Sequence, residues 1–259
     1  MISSVAWILF LLSLLGLALF FPIYPASLWL FSRKRQLSRP PSPETPPFIS
    51  LVTVVRDGEK LIGPKIENFL SLDYPRERVE YIIFEDGGSG ALSGIVERFY
   101  DPRVLLFDAK EHQGKNRSLN EAVAKCRGDI LVFSDADALL SSAALRELAA
   151  WFGAPDIGGV CGRRVIAERG EGSLVNPQKS YLDFDGSIRV GESRLGSITS
   201  NDGKLFAVRR NLCTVIPPDV TDDLFICLSV VKQGFRFVYT DRADALIHLP
   251  SRTPEHELE

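Results

Sequence analysis

Residues 5–21 carry no charge and almost no polarity. With residues 22–31 added, the apolar run exceeds the ~20 residues that a helix needs to cross a bilayer. Pro22 and Pro25 are expected to kink or end that helix near the interface, and Trp7, Tyr24 and Trp29 are placed to anchor it at headgroup level. The pattern then breaks into Ser-Arg-Pro-Pro-Ser-Pro-Glu-Thr-Pro-Pro over residues 38–47, a stiff extended linker without helix or strand potential. From Phe48 onward, short apolar runs alternate with amphipathic stretches. Strands are predicted over 48–55, 79–84, 104–107 and 130–133. Helices are predicted over 60–71, 91–100, 115–127 and 141–152. On the first of these helices Leu61, Ile62, Ile66, Phe69 and Leu70 share one face. Strands alternating with helices argue an α/β fold, a doubly wound and mostly parallel sheet with helices on both faces.

Beyond Trp151 the pattern loosens. A strand is expected over 157–166, a helix over 180–190, glycine-rich loop over 191–203 and a short strand over 205–208. A helix capped by Thr221 or Asp222 runs to about Gln233, Gly234 ends it, and a strand follows over 235–239. The predicted organisation is an anchor over 1–32, a basic and proline-rich linker over 33–47 and a domain over 48–250. That domain divides into a donor-binding half, 48–152, and an acceptor-facing half, 153–250. The polar tail over 251–259 leaves two readings open, a shortened chain or a complete one.

Composition changes this picture little. The chain has 259 residues, 45% of them hydrophobic, enough for one sizeable core beside the anchor. A net charge of -3 gives no basic field for nucleic acid. Arg33, Lys34, Arg35 and Arg39 follow the apolar run and no basic residue precedes it, so the domain is expected to face the cytoplasm of a single-pass membrane protein. Cys126, Cys161, Cys213 and Cys227 have no metal-ligand spacing and read as small buried apolar groups. His248 reads as structural, and Arg163, Arg164, Arg209 and Arg210 as exposed surface arginines.

Polar clusters stand where strands end or helices begin. Arg56-Asp57-Gly58-Glu59 follows the first strand, Glu85-Asp86-Gly87-Gly88 the second, and Asp135-Ala136-Asp137 the fourth. His112-Gln113-Gly114-Lys115 opens the third helix of the domain and offers a cation and a helix amino end, both suited to phosphate. Thr221-Asp222-Asp223 opens a late helix. By itself Asp135-Ala136-Asp137 is open to two readings: a polar turn in which Asp137 caps the next helix, or paired oxygen ligands for a hard divalent cation at the sheet edge where α/β folds bind ligands.

In order and content these clusters resemble the family 2 glycosyltransferases. Asp86-Gly87, Gly114-Lys115 with Leu119-Asn120, and Gly128-Asp129-Ile130-Leu131-Val132-Phe133-Ser134-Asp135-Ala136-Asp137 are similar to that family's signature. Thr221-Asp222-Asp223 resembles its Thr-Glu-Asp motif. With the anchor and linker, the chain looks like the membrane-bound, polysaccharide-synthase branch. The resemblance implies a GT-A fold, inverting transfer from a nucleoside-diphosphate sugar, most readily a UDP-sugar, to a glycan or lipid acceptor, and Mg2+ or Mn2+ as cofactor. It further implies that Asp86 contacts the base or ribose, Asp135 the nucleoside side, Asp137 the metal, and that Asp223 is the catalytic base. Val55, Asp57, Glu59 and Lys115 are expected on the donor side, and Asn201, Asp202 and Asp222 on the acceptor side. Arg56-Asp57-Gly58 replaces the family's Tyr-Asn-Glu, and no Gln-x-x-Arg-Trp follows Asp223. These departures keep two alternatives in view: a non-catalytic nucleotide-sugar-binding subunit of a synthase complex, and a sugar-phosphate nucleotidyltransferase.

Overall fold

The computed structural model describes residues 4–41, 43–88, 90–166 and 175–247. Ser89, His248, the tail over 251–259 and the part of the expected acceptor-side loops before residue 175 lie outside the described residues. The apolar run forms α1 (Ser4–Ala18), one wide π turn (Leu19–Ile23) and α2 (Tyr24–Ser32). Pro22 does not end the helix. Proline removes an N–H and crowds the carbonyl four residues back, and the wider turn absorbs both effects. The result is a continuous helix of 29 residues, long and apolar enough to cross a membrane. Residues 35–41 and 43–47 then run without helix or strand along the domain. Leu37 packs onto its core, Arg39 pairs with Glu147, and the Tyr74 hydroxyl donates to the Pro47 carbonyl at 2.7 Å.

The domain is built on β1 (Ile49–Val55), β2 (Val79–Asp86), β3 (Val104–Ala109) and β4 (Ile130–Phe133). These alternate with α3 (Glu59–Leu70), α4 (Ala91–Glu97) and α5 (Lys115–Lys125). Next come β5 (Ala138–Leu140), α6 (Ala144–Trp151), β6 (Ile157–Ile166), α7 (Val175–Leu195), β7 (Phe206–Arg209), α8 (Asp222–Lys232) and β8 (Arg236–Ile247). All eight strands form one sheet in the order β3-β2-β1-β4-β7-β6-β8-β5. The first four are mutually parallel, as the βα alternation demands. β7 reverses the direction, pairing antiparallel with both β4 and β6, so the sheet is mixed.

Both faces are covered, which explains the unbroken apolar strands. Ile49, Leu51, Tyr81, Ile83, Ile130 and Val132 point to one side, under α3, α4 and α6. Val52, Ile82, Leu131 and Phe133 point to the other, under α5 and α8. Three elements depart from expectation. The loop expected from Gly191 is helical through Leu195. The strand at the carboxyl end continues to Ile247, because β6 and β5 pair along its length. β5 itself, three residues long, is too short for any pattern to announce.

A buried clasp sets the position of β4. Glu80 accepts hydrogen bonds from Ser50 Oγ at 2.6 Å and from Arg127 N and Nε at 2.7 Å each. Ser50 Oγ in turn accepts from Gly128 N at 2.8 Å. A Cβ at Gly128 would lie 2.4 Å from the Ser50 backbone nitrogen, so only glycine lets the chain pass there. Gly128→Ala is expected to lose about 1–3 kcal/mol from overpacking. For a domain of this size the melting temperature of the full chain in detergent should fall by roughly 2–4 °C per kcal/mol; an unchanged melt would remove the clasp from the account of β4.

Candidate active site

β4 ends against the start of β7, and that pairing builds the centre of the site. Phe133 faces Phe206 in the antiparallel register, which carries Lys204 opposite Asp135, two residues beyond. Lys204 Nζ lies 3.1 Å from Asp135 Oδ2 and 2.9 Å from both Asp137 oxygens. Burial alone would lower the Lys204 pKa, but the hydrogen bond to Asp137 and the charge of Asp135 raise it, so the ammonium form is held. Asp137 does not cap a helix, since β5 follows it directly. Ala136 and Asp137 do form a polar turn, in which Ala138 N donates to the Asp135 carbonyl at 3.2 Å, but the turn leads into a strand paired with β8 and not into a helix.

A second lysine ties this pair to the first turn of α8. Lys115, the first residue of α5, lies 3.4 Å from Asp135 and 3.1 Å from Asp222. Burial would lower its pKa, and these two carboxylates raise it. Thr221 occupies the N-cap of α8 but makes no side-chain cap bond. Asp223 is half-buried, and its Oδ1 accepts from Leu224 N at 2.6 Å. Its pKa is raised, first by burial and further by Asp222 and Asp202, against the opposing pull of the Leu224 N–H and Lys115. Asn201 is buried and its Nδ2 donates to the Asp223 carbonyl at 3.3 Å. Asp202 accepts from Lys204 N at 3.1 Å and pairs with Arg164 at 3.3 Å. Asp135, Asp137, Asp222, Asp223, Asn201, Asp202 and Lys115 thus belong to one connected region.

Asp86 sits at the end of β2, 3% exposed. Its carboxylate accepts from Gln113 N at 2.9 Å and Gly114 N at 3.1 Å, with His112 Nδ1 at 2.9 Å. Burial would raise its pKa, but the bonds from Gln113 and Ser118 and the His112 charge lower it, so it stays ionised. The amides at 113 and 114, expected to be open to phosphate, are therefore taken by Asp86. Gly87 must be glycine: its φ is +74° and a Cβ would lie 2.2 Å from His112 N. Val55 is buried at the end of β1, whereas Asp57 and Glu59 are exposed, with Arg56 and Asp57 3.6 Å apart.

Sequence reasoning missed two lysines. Lys204 carries no motif, and its place depends on β7 reversing direction. Lys65 points inward from α3, where its periodicity reads as ordinary amphipathic helix. It is fully buried, donates to Ser134 Oγ at 2.7 Å and also bonds the Ala138 carbonyl. Ser134 Oγ donates onward to the Lys204 carbonyl at 3.0 Å, so Lys65 braces the loop from below. The arginines are also more engaged than expected. Arg209 donates to the carbonyls of Phe152, Ala154 and Ile157, Arg163 is doubly bonded to Asp244, and Arg210 reaches the Cys126 carbonyl at 3.3 Å.

The residues present suit a hard cation. Asp135 and Asp137 already converge on one positive centre within 3.1 Å, and carboxylate oxygens are the donors that Mg2+ and Mn2+ favour. Among the described residues no group of three or more His, Cys, Asp or Glu side chains forms a metal cage. A cation here would therefore complete its shell with water and substrate oxygens, as Mg2+ commonly does.

The same fold occurs in a mannosyltransferase from Pyrobaculum calidifontis, solved in complex with GDP-Man and Mn2+. It superposes with a TM-score of 0.76 at 24% identity, covering 94% of this chain and 70% of that one. A β-monoglucosyldiacylglycerol synthase of Synechocystis sp. is 27% identical over 188 residues, 69% of this chain and 39% of that protein. An N-acetylglucosaminyltransferase of Azorhizobium caulinodans is 23% identical over 224 residues, 80% of this chain and 56% of that protein. The match thus spans less than two thirds of the length of either relative. The sequence model of Glycosyl transferase family 2 matches residues 50–216, and the chain belongs to that family.

Lys65 gives the site a pH signature. Burial pushes its ammonium down to about 7 from 10.5, against the attraction of Asp135 and Asp137. Between about pH 7 and 10.5 the unfolded chain binds the extra proton, so folding stability should rise with pH across that window. Urea midpoints measured from pH 6.5 to 9.5 should climb for the wild type relative to Lys65→Met. Parallel curves would mean that Lys65 keeps its proton in the fold.

Proposed function

We propose that this protein is a membrane-anchored glycosyltransferase that moves a hexose from a nucleoside-diphosphate sugar to a glycan or lipid acceptor with inversion. The observation that carries this reading is Lys115 bridging Asp135 and Asp222, at 3.4 and 3.1 Å, which joins the Asp135–Asp137 pair to the helix bearing Asp223. A donor at the first and an acceptor at the second then sit beside each other, as direct displacement requires. Family membership and the GDP-Man and Mn2+ bound by the Pyrobaculum calidifontis protein support the donor class.

In this reading Asp137, with Asp135 beside it, holds the divalent cation, which supplies positive charge to the departing diphosphate. Lys115 and Lys204 add fixed positive charge at the same place. Asp86, with the His112–Gly114 loop that it ties down, forms the wall beside the nucleoside. Val55, Asp57 and Glu59 flank it from the end of β1. Asp223 takes the proton of the acceptor hydroxyl, and its raised pKa makes it the better base. Asn201 and Asp202 shape the acceptor side. The helix Ser4–Ser32 anchors the protein, and the basic residues from Arg33 to Arg39 keep the domain on the cytoplasmic face.

The test separates binding from chemistry. Calorimetry with UDP, GDP and Mn2+ should show nucleotide binding that depends on the metal and is lost in Asp137→Ala. Asp223→Asn should keep that binding and lose roughly 10²–10⁴-fold in transfer rate. Equal transfer by wild type and Asp223→Asn would sink the assignment of the base. Metal-dependent binding with no turnover in either would favour the non-catalytic subunit.

A further inference from the structure

α7 carries an apolar stripe that the domain leaves open. Tyr181, Phe184 and Ile188 recur at helical spacing, and the first two are 63% and 46% exposed. Facing them, Leu19 and Phe21 in the π turn are 50% and 62% exposed. Together the two walls enclose a mostly apolar groove of about 680 Å³. Counted from Ser4, the ~20 residues that cross the hydrocarbon layer end near Ile23. The groove, whose helix wall runs from Gly16 to Pro25, therefore straddles the level where lipid chains meet headgroups.

One end of the groove is polar and rigid. The Tyr24 hydroxyl donates to Glu192 at 2.5 Å, and Thr199 donates to the same carboxylate through N at 3.0 Å and Oγ1 at 2.7 Å. These bonds fix the membrane helix to the catalytic domain. Asp185 and Arg189 also line the groove, paired at 2.9 Å. Asp202 acts electrostatically on both Asp185 and Asp223, so this end leads toward the proposed base.

We infer that the groove holds a hydrocarbon chain of a lipid acceptor, drawn from the bilayer, with a hydroxyl-bearing head at the Glu192 end. This deepens the proposed function and rests on it. The head is a neutral hydroxyl and not a phosphate, because among the described residues at this end Asp185, Glu192 and Asp202 outnumber Arg164 and Arg189. Both arginines are already paired, at 3.3 and 2.9 Å. A phosphate would meet net negative charge in a partly desolvated place.

The experiment uses the full chain in phosphatidylcholine nanodiscs with diacylglycerol carrying a terminal diazirine in one acyl chain. Illumination should label Tyr181, Phe184 or Ile188 together with Leu19 or Phe21. Ile188→Trp, which fills the groove, and Tyr181→Glu, at an exposed position that leaves the core alone, should each cut labelling roughly tenfold, about 1.4 kcal/mol of lost packing. Labelling spread evenly along α1 with none on α7, or unchanged in both variants, would overturn the assignment. Stronger labelling by a diazirine-bearing polyprenyl phosphate would overturn the neutral head. Metal-dependent nucleotide binding is measured on the same samples. If it is absent while the labelling pattern holds, the transferase reading falls and the lipid groove stands. If it is present while labelling is even, the groove falls alone.

Discussion

Like charges cannot share a small volume without neutralisation, and that constraint governs this site. Asp135, Asp137 and Asp222 are brought together at the ends of different elements, with Asp223 beside them. Lys204 holds the first two and Lys115 spans the gap to the third. Lys65 lies beneath, buried against Ser134 and Ala138. Several carboxylates and ammonium groups in a partly desolvated pocket interact far more strongly than they would in water. Such a cluster suits a reaction whose leaving group carries negative charge and whose nucleophile must lose a proton, because both charge changes meet preset partners.

The sheet makes the cluster possible. Four parallel strands bring β1, β2 and β4 to one edge with their carboxyl ends aligned, so Val55, Asp86 and Asp135 emerge on the same side. β7 then runs the other way, and Lys204, two residues before its start, arrives at that same edge. A fifth parallel strand would have brought its trailing end there instead. α3, α4 and α6 pack against one face, while α5 and α8 cover the other and deliver Lys115 and Asp223 to the site by their first turns.

The long apolar helix over Ser4–Ser32 is not a tether hung from this domain. Leu28 and Ser32 of α2 are buried, both lie against Gly191 of α7, where a Cβ would meet them at 3.5 and 3.6 Å, and Tyr24 is bonded to Glu192. Residues 35–47 continue the attachment through Leu37 and Arg39. A helix joined at several points is held at a fixed height and tilt against the domain. A flexible linker would leave both free.

Much of this was legible in the chain itself. The apolar strands, the amphipathic helices and the acidic turns after β2 and β4 follow from local periodicity and side-chain chemistry. Those are properties of neighbouring residues, and the family resemblance of the Gly128–Asp137 block rests on them too. The sequence alone determined the long apolar helix, the alternating β and α elements of the first half, and the identity of the acidic groups. The tertiary structure alone decided which cations those groups would face. Lys204 lies sixty-seven residues from Asp137 and Lys65 looks like any helical lysine, and only the reversed β7 and the inward face of α3 bring them to the site. It also decided that Asp86 would spend its oxygens on the amides of residues 113 and 114, and that α7 would extend past Gly191 to meet the apolar helix. Those outcomes depend on pairing between distant segments, and no local pattern encodes which strand a chain will return to or in which direction.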